Sequence, residues 1–268
     1  MNASIKGTAL ITGASTGIGA VYADRLAGRG HPLLLVARDV ARLQALAERL
    51  TARHGVEVEV LPADLTDPAA LRRLEERLRG DGSIEVLVNN AGMSMTGALA
   101  EADLALADRM IALNLVAVTH LAAAAAANFG ARGRGTVINL GSVVSLLPER
   151  FSAVYAATKA YVLSLSQSMQ AELGKRGVRV QAVLPGMTRT EIWARSGVAP
   201  GSLPESMIME ADEMVDAALA GLDQGEPVTL PSLPDAADWD AFLAARAALG
   251  PNLSHRQAAD RYRCAAPA

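Results

Sequence analysis

The sequence has very little cysteine and few aromatic residues. Its single cysteine, Cys264, stands four residues from the end, so no disulfide can form within the chain, which fits a reducing compartment. Phe, Trp and Tyr make up only 3% of the 268 residues while 51% are hydrophobic, so the core must be built from aliphatic side chains. A chain of this length forms one large domain, or at most two, with a substantial core.

Strong net charge, clustered histidines and membrane-length apolar segments are also lacking. The net charge of −3 gives no electrostatic footprint for nucleic acid or for an acidic membrane. The four histidines form no metal-spaced cluster, so no bound metal is expected. The first residues show no signal peptide, and the apolar runs at 33–37 and 121–127 are too short to span a bilayer. These features indicate a cytoplasmic protein without nucleic-acid or membrane partners.

Short β-branched or leucine-rich segments alternate with longer segments of helical period. Strands are predicted at 8–11, 32–37, 56–62, 84–89, 135–140, 178–184 and 227–230. Helices are predicted at 21–29, 40–54, from a cap at 66–68 to about 79, 104–129, 153–176 and 238–249. This alternation predicts a Rossmann-type α/β fold, in which helices cover both faces of a doubly wound parallel sheet of about seven strands, giving three layers.

A glycine-rich turn follows the first predicted strand, in the run Thr12-Gly13-Ala14-Ser15-Thr16-Gly17-Ile18-Gly19. Gly13 permits a tight turn, Gly17 lets the backbone approach a pyrophosphate, and Gly19 allows close packing of helix and strand. The free N–H groups of the following helix attract phosphate. The spacing differs from G-x-G-x-x-G, and the motif alone leaves a bare turn as the alternative. Its place in the first strand–turn–helix unit favours a nucleotide site.

The end of the second predicted strand bears on which nucleotide binds, because it lies near the adenosine ribose in dinucleotide folds. Ala37 is neutral and Arg38 is cationic, which favours NADP(H) over NAD(H). Arg42, one helical turn further on, adds charge. A solvated arginine is the alternative for Arg38, and Asp39 is either a ribose-binding acid or a helix cap.

A second constellation has the composition of a proton-transfer site. Tyr155 and Lys159 are four residues apart, which on a helix places both side chains on one face. Ser142 stands thirteen residues before Tyr155, at the end of a predicted strand. A nearby ammonium favours the phenolate and is expected to lower the pKa of the tyrosine. Singly, each residue has a structural alternative, as a packed tyrosine, a solvated lysine or a turn serine.

Several motifs together resemble the short-chain dehydrogenase/reductase family. They are the glycine turn, Asn89-Asn90-Ala91-Gly92, Asn114, Ser142, Tyr155-x-x-x-Lys159, and Pro185-Gly186 followed by Thr188. The resemblance runs from about Thr8 to Thr190, and the order and intervals of the motifs make it specific. It implies a Rossmann fold, an NAD(P) cofactor and a carbonyl or alcohol substrate.

The resemblance also implies roles for individual residues. Tyr155 would donate a proton to the developing alkoxide, Lys159 would tune it and bond the ribose, and Ser142 would hold the carbonyl oxygen. Asn114 would help to hold a water relay beside Lys159. The implied cofactor-binding residues are Gly13, Ser15, Thr16, Gly17, Ile18, Gly19, Arg38, Asp64, Leu65, Asn90, Ala91, Gly92, Tyr155, Lys159, Pro185, Gly186 and Thr188.

The substrate pocket is expected outside the carboxyl ends of the strands. Its predicted lining is mostly apolar and consists of Met93, Val144, Leu147, Phe151, Met187 and Trp193. The less regular segment at about 187–212 is expected to act as a lid over a single catalytic domain of residues 1–268. The segment at about 231–268 extends beyond the family's usual end.

We expect an NADP-dependent oxidoreductase that reduces a small hydrophobic ketone. If Arg150 or Arg195 faces the pocket, a 3-oxoacyl-thioester reductase acting on an acyl-carrier conjugate becomes the alternative. A non-catalytic NADP-binding sensor or scaffold is the alternative from another class. The two long apolar helices, 104–129 and 153–176, are expected to pack against a second subunit, as in the family's homodimers and homotetramers.

Overall fold

Seven short strands form one sheet in the computed structural model, which describes residues 6–191 and 204–263. The strands are β1 (Thr8–Thr12), β2 (Leu33–Ala37), β3 (Val58–Pro62), β4 (Ile84–Asn89), β5 (Gly135–Leu140), β6 (Val178–Val183) and β7 (Val228–Thr229). All neighbours are parallel, in the order β3-β2-β1-β4-β5-β6-β7. The chain moves outward from β1 to β3 and then crosses to β4, so the order reverses between β1 and β4. Open α/β sheets bind ligands at such a point.

Helices cover both faces of this sheet. They are α1 (Gly17–Gly28), α2 (Val40–His54), α3 (Pro68–Gly80), α4 (Leu104–Ile111), α5 (Val118–Arg132), α6 (Ala153–Leu173), α7 (Ala211–Gln224) and α8 (Ala236–Ala248). One buried cluster joins α1, α2 and α7 to the sheet, and a second joins α3, α5 and α6 to its other face. Because both faces are covered, the central strands consist mostly of apolar residues. The predicted three-layer Rossmann-type fold is confirmed.

The predicted helix 104–129 lies within one continuous helical stretch, Leu104–Arg132, but part of that stretch is not α-helical. Residues Ala112–Ala117 form a π-helical segment between α4 and α5. A π segment places an extra residue in the turn, and here it carries Asn114, whose side chain is buried. The π segment contains no glycine or proline, so the apolar pattern of the sequence continues through it without a break.

The stretch Leu104–Arg132 is the one helical segment of the described chain that is long and apolar enough to cross a bilayer, by length and composition alone. In the structure α5 packs against α3, β4 and β5. Its residues Leu121, Ala124 and Phe129 are fully buried in that packing. This composition is therefore that of a core helix in a three-layer fold.

Helix α7 has no counterpart among the predicted helices. Its buried residues Met214, Ala218 and Leu222 recur every four residues, which is the signal that identifies it. Elsewhere the predicted bounds differ by a few residues. The largest difference is at α1, which begins at Gly17 rather than at residue 21 because the glycine turn leads directly into it.

The chain divides into two compact units, Met1–Pro231 and Ser232–Ala268. The second unit contains α8, on which the Trp239 and Phe242 rings stack with their centroids 5.2 Å apart. None of its described residues, 232–263, is buried. The single catalytic domain of residues 1–268, with its lid and its extension, remains a prediction.

Candidate active site

The carboxyl ends of β1, β4, β5 and β6 bring the predicted motifs to one edge of the sheet. The glycine turn follows β1, Asn90 to Gly92 follow β4, Ser142 follows β5, and Pro185 follows β6. The β4 and β5 strands are in register at Asn89 and Asn139, so their following loops leave the sheet side by side. Residues far apart in sequence therefore meet at one edge of the sheet, and the space outside this edge is termed the groove.

Lys159 is held at this edge by a backbone carbonyl. Its ammonium Nζ donates to the Leu140 oxygen at 2.8 Å, and the residue is only 8% exposed. Burial lowers the pKa of Lys159 to about 8. The Nζ atom lies 5.9 Å from the centroid of the Tyr155 ring, so the two residues of the predicted pair share one face of α6.

Tyr155 and Ser142 also meet at this edge. Burial raises the pKa of the Tyr155 phenol, and hydrogen bonding with the Ser142 side chain lowers it by less. The pKa of Tyr155 is therefore raised rather than lowered as the sequence predicts, because burial disfavours the phenolate. The other contacts of Ser142 Oγ, with the Pro185 oxygen and the Val144 N–H, are both long at 3.4 Å. The hydroxyl is thus weakly engaged by the backbone.

Asn114 uses its whole side chain in contacts within the protein. Its Oδ1 accepts from the Met93 N–H at 2.9 Å, and its Nδ2 donates to the Met93 oxygen at 2.9 Å and to Thr158 Oγ1 at 3.1 Å. Thr158 in turn donates to the Tyr155 carbonyl oxygen at 2.8 Å. Asn114 therefore fastens the loop after β4 to the helix that carries the tyrosine.

The glycine turn has the backbone that the sequence predicts. Gly13 and Gly17 adopt φ values of 65° and 54°, in the left-handed region that favours glycine. A Cβ atom on Gly19 would lie 2.4 Å from the Gly13 oxygen and 2.5 Å from Asn90 Nδ2. The Asn90 amide donates to the Thr12 and Gly13 oxygens at 2.8 and 3.2 Å, so it fixes the turn to β4.

This turn fits a phosphate group. At α1 the N-cap residue Thr16 makes no side-chain capping bond, whereas Asp39, Asp67 and Asp103 cap the N-termini of α2, α3 and α4. The first N–H groups of α1 therefore face the groove without a capping acceptor from Thr16, and the helix dipole favours an anion there. A Cβ on Gly92 would lie 3.4 Å from Asn114 Oδ1 and 3.7 Å from Lys159 Nζ, so Gly92 lies beside both of these side chains.

The ribose end of the groove lies beside β2 and α2. Asp39 accepts from the Arg42 N–H at 3.0 Å, which makes it the helix cap of its two alternatives. Arg38 is 63% exposed and lies 3.9 Å from an Asp64 carboxylate oxygen. Burial raises the pKa of Asp64, but its hydrogen bonds from Thr66 and the charge of Arg38 outweigh this and leave the pKa below its usual value. Arg38 is therefore more exposed than Arg42, whose side chain is 49% exposed.

The remaining predicted cofactor residues lie along the same groove. Ser15, Thr16 and Ile18 are half-buried on the turn, Leu65 is buried after β3, and the Ala91 N–H donates to Thr12 Oγ1 at 3.0 Å. Thr188 is buried, and its hydroxyl donates to the Gly186 oxygen at 3.3 Å. These positions follow the carboxyl edge from the turn to the end of β6.

The predicted pocket residues separate into three groups. Met93 packs beside Tyr155 in a small apolar cluster with Met95 and Met110, and Val144 is buried next to Ser142. Leu147 and Phe151 are 43% and 42% exposed, and Met187 is half-buried. Trp193 and Arg195 lie outside the described residues, as do the other residues of 192–203.

Sequence reasoning missed a set of buried polar residues behind the site. The Asn89 amide donates to Asn139 Oδ1, and the Asn139 amide donates to Ser166 Oγ, both at 2.9 Å. Ser166 donates to the Val162 oxygen at 2.7 Å. This chain of bonds joins β4, β5 and α6 within the core. Its signal in the sequence is an asparagine inside the apolar strand β5, because a buried amide requires partners.

No group of three or more His, Cys, Asp or Glu side chains that could hold a metal ion occurs within residues 6–191 and 204–263.

Comparison with known proteins gives consistent similarities. The family described as short chain dehydrogenase matches residues 7–199. A short-chain dehydrogenase from Sphingobium yanoikuyae, solved in complex with NADPH, is 54% identical with a TM-score of 0.93, over 96% of this chain and 100% of that chain. The bulky-bulky ketone specific alcohol dehydrogenase from Comamonas testosteroni is 47% identical with a TM-score of 0.89, over 97% of this chain and 99% of that chain.

A relative that is named for a different activity is more distant. The 3-oxoacyl-[acyl-carrier-protein] reductase of Escherichia coli is 34% identical over 185 residues, which is 69% of this chain and 74% of the relative. The two solved structures leave at most 4% of this chain unaligned. That is about 11 residues, fewer than the 38 residues from 231 to 268, so much of the extension has a counterpart in both.

The buried lysine makes stability depend on pH. In the unfolded chain Lys159 keeps its proton up to its ordinary pKa of 10.5, whereas in the folded protein it releases the proton from a pKa of about 8. The unfolded state binds more protons between these values, so stability rises with pH there. Relative to Lys159→Met, the wild-type free energy of unfolding should rise by up to about 3 kcal/mol across this window.

The measurement is urea unfolding at a series of pH values, followed by circular dichroism. Lys175→Met provides the matched control, because Lys175 is exposed at the end of the same helical region. Its difference from the wild type should stay constant with pH. A constant difference for Lys159→Met as well would contradict the buried ammonium.

Proposed function

The chain belongs to the short-chain dehydrogenase/reductase family, and from that premise we propose that it is an NADP(H)-dependent oxidoreductase that reduces a hydrophobic ketone to a secondary alcohol. The observation that carries the proposal is the meeting of Tyr155, Ser142 and Lys159 at the edge that also holds the phosphate-binding turn. A proton donor thus lies in the groove that a nicotinamide nucleotide would occupy. The two similar solved structures, one holding NADPH and one acting on bulky ketones, support the same reaction.

The groove residues would hold the cofactor from end to end. Gly13 to Gly19 would receive the pyrophosphate, Arg38 a 2′-phosphate, and Thr188 the nicotinamide side. When bound, the cofactor supplies the hydride. Lys159 lies beside Gly92, and its ammonium would bind a ribose hydroxyl while it keeps the Leu140 carbonyl as its fixed partner.

Tyr155 supplies the proton for ketone reduction. Burial raises the pKa of its phenol, so the hydroxyl is protonated at neutral pH and can donate to the alkoxide that forms. The Lys159 ammonium then stabilises the phenolate that remains. Alcohol oxidation requires the phenolate as base, so that direction gains from higher pH. Ser142 binds the carbonyl oxygen and sets its position relative to the phenol.

Asn114 acts by positioning. Because its side-chain amide is fully used by Met93 and Thr158, a water relay at this residue has to use its backbone carbonyl. The π-helical turn that contains Asn114 changes the backbone hydrogen-bonding pattern at this point. The asparagine side chain would then fix the direction of that carbonyl, rather than contact water itself.

Apolar side chains near Tyr155 favour a hydrophobic ketone. Met93 packs in the same apolar cluster as Tyr155, and Val144 is buried next to Ser142. Phe151 and Leu147 present apolar surface on the loop before α6. The alternative substrate is a 3-oxoacyl thioester, which the Escherichia coli relative is named for. The higher identity to the ketone-specific dehydrogenase favours the ketone.

We extend the proposal to the assembly. The outward face of the helical stretch 112–132 carries the exposed residues Val116, His120, Ala123 and Ala127, spaced along one stripe. Small side chains let helices approach closely, so this face and α6 would pair with a second copy in a homodimer or homotetramer. The segment at about 187–212 would act as the lid of the site.

A substrate panel tests the reaction. With NADPH, a bulky aryl ketone should be reduced with kcat/KM at least about tenfold above that of an acetoacetyl thioester, because an apolar pocket discriminates by the apolar area that it buries. Cofactor oxidation followed by absorbance gives both values. Turnover of the thioester without the ketone would favour the acyl-thioester alternative. NADPH binding without turnover of any carbonyl would favour a non-catalytic protein.

Removing one hydroxyl tests the proton donor. Tyr155→Phe should lower kcat for ketone reduction by about 10²- to 10⁴-fold, the range for a lost general acid. NADPH affinity, measured by fluorescence, should stay near that of the wild type. Tyr161→Phe is the control, because Tyr161 lies on the same helix with its hydroxyl 2.6 Å from Thr119 Oγ1. Wild-type kcat in Tyr155→Phe would refute the assignment.

Removing one charge tests the cofactor preference. Arg38→Gln should lower kcat/KM for NADPH by about ten- to a hundredfold, the value of a charge-assisted bond to phosphate, and leave NADH unaffected. Arg49→Gln removes the same charge from an exposed position further along α2. Steady-state kinetics with each cofactor gives the comparison. An equal loss with NADH would show that Arg38 does not read the 2′-phosphate.

A further inference from the structure

We propose that Glu191 is a specificity residue at the ribose end of the groove: it engages Arg42 and so limits the affinity for a 2′-phosphate. The inference rests on the proposed nucleotide site. Arg42 Nη1 donates to both carboxylate oxygens of Glu191, at 2.9 and 3.0 Å. The two residues are 149 positions apart in sequence, and their side chains are 49% and 46% exposed. The contact therefore joins α2 to the segment that follows β6.

The chain around Glu191 fixes the position of its carboxylate. The Arg189 N–H donates to the Met209 oxygen, and the Met209 N–H donates to the Met187 oxygen, both at 2.9 Å. Thr190 lies over the phosphate-binding turn, since a Cβ on Gly17 would lie 3.2 Å from its methyl group. The segment that crosses the turn thus places the Glu191 carboxylate beside Arg42, at the proposed ribose end of the groove.

Arg42 has two acidic partners, Asp39 and Glu191, and the two have different structural roles. Asp39 caps α2 through Oδ1 and lies 3.4 Å from Arg42 Nε through Oδ2. Loss of Asp39 would therefore disturb the helix. Glu191 engages the outer nitrogen Nη1, one of the donor groups through which an arginine binds phosphate. Glu191 is thus the partner that can be neutralised without removing the cap.

Charge at this end supports the same conclusion. Arg38 and Arg42 lie beside three carboxylates, those of Asp39, Asp64 and Glu191, and the charge of a third cation, Arg109, also acts on Asp64. A 2′-phosphate would compete with Glu191 for Arg42. A ribose 2′-hydroxyl does not meet that cost. Glu191 therefore narrows the preference for NADP(H) over NAD(H) that Arg38 provides.

The experiment uses two nucleotides that differ only in the 2′-phosphate, adenosine 2′,5′-bisphosphate and 5′-AMP. Calorimetry gives their dissociation constants with the full-length wild type, Glu191→Gln and Asp223→Asn. Asp223 is the matched control, because it also engages an arginine, Arg29 at the end of α1, at the opposite edge of the sheet. These probes carry no nicotinamide, so the readout does not depend on catalysis.

Glu191→Gln should bind the bisphosphate about three- to tenfold more tightly, the effect of one partly screened charge, and change 5′-AMP by less than about twofold. Asp223→Asn should change neither nucleotide. An equal gain for both nucleotides, or no gain beyond that of Asp223→Asn, would overturn the proposal.

A double substitution tests the route through Arg42. In an Arg42→Gln background the gain from Glu191→Gln should fall below about twofold, because no guanidinium remains to be released. An undiminished gain would overturn the pairing. The wild-type constants test the proposed function separately: tighter binding of 5′-AMP than of the bisphosphate would refute the NADP(H) preference and leave the comparison between variants intact.

Discussion

The buried ammonium of Lys159 is the constraint on which the rest of the site depends. A charge that is 8% exposed is costly unless a polar partner receives it, and here the partner is the Leu140 carbonyl at 2.8 Å. That bond ties α6 to the end of β5. Because Tyr155 lies one turn before Lys159, the same tie brings its phenol beside Ser142, which follows β5. One helix–strand contact therefore assembles the proposed proton donor.

The sheet order and a local distortion of one helix complete the arrangement. The reversal between β1 and β4 places the glycine turn and the proposed proton donor, Tyr155, along one edge. The π segment before α5 carries Asn114, which joins the loop at Met93 to Thr158 on α6. Behind them, Asn89, Asn139 and Ser166 link β4, β5 and α6 by hydrogen bonds. The helix is thus fixed to the sheet by polar contacts on both sides of Lys159.

The fold, and the set of residues that meet at the carboxyl edge of the sheet, could be predicted from the sequence. The contacts that set the pKa values and charges of those residues could not. Strand runs and the glycine turn depend on local period and spacing, so β4, α2 and β5 were predictable to the residue. The π segment contains no glycine or proline, so nothing in the local sequence indicates it. The burial that raises the pKa of Tyr155, and the Arg42–Glu191 pair, arise from tertiary packing of distant segments. Spacing along the chain carries no information about them.

The central claim is that Tyr155 and Ser142 jointly receive the substrate oxygen while Lys159 stays fixed behind them. A crystal structure with NADP⁺ and a secondary alcohol tests it most directly. We predict that the alcohol oxygen lies within about 3.2 Å of both the Tyr155 and the Ser142 hydroxyl oxygens, the limit for such hydrogen bonds. Lys159 should remain within hydrogen-bonding reach of the Leu140 carbonyl. An alcohol oxygen bound away from Tyr155 in an otherwise ordered site would contradict the account.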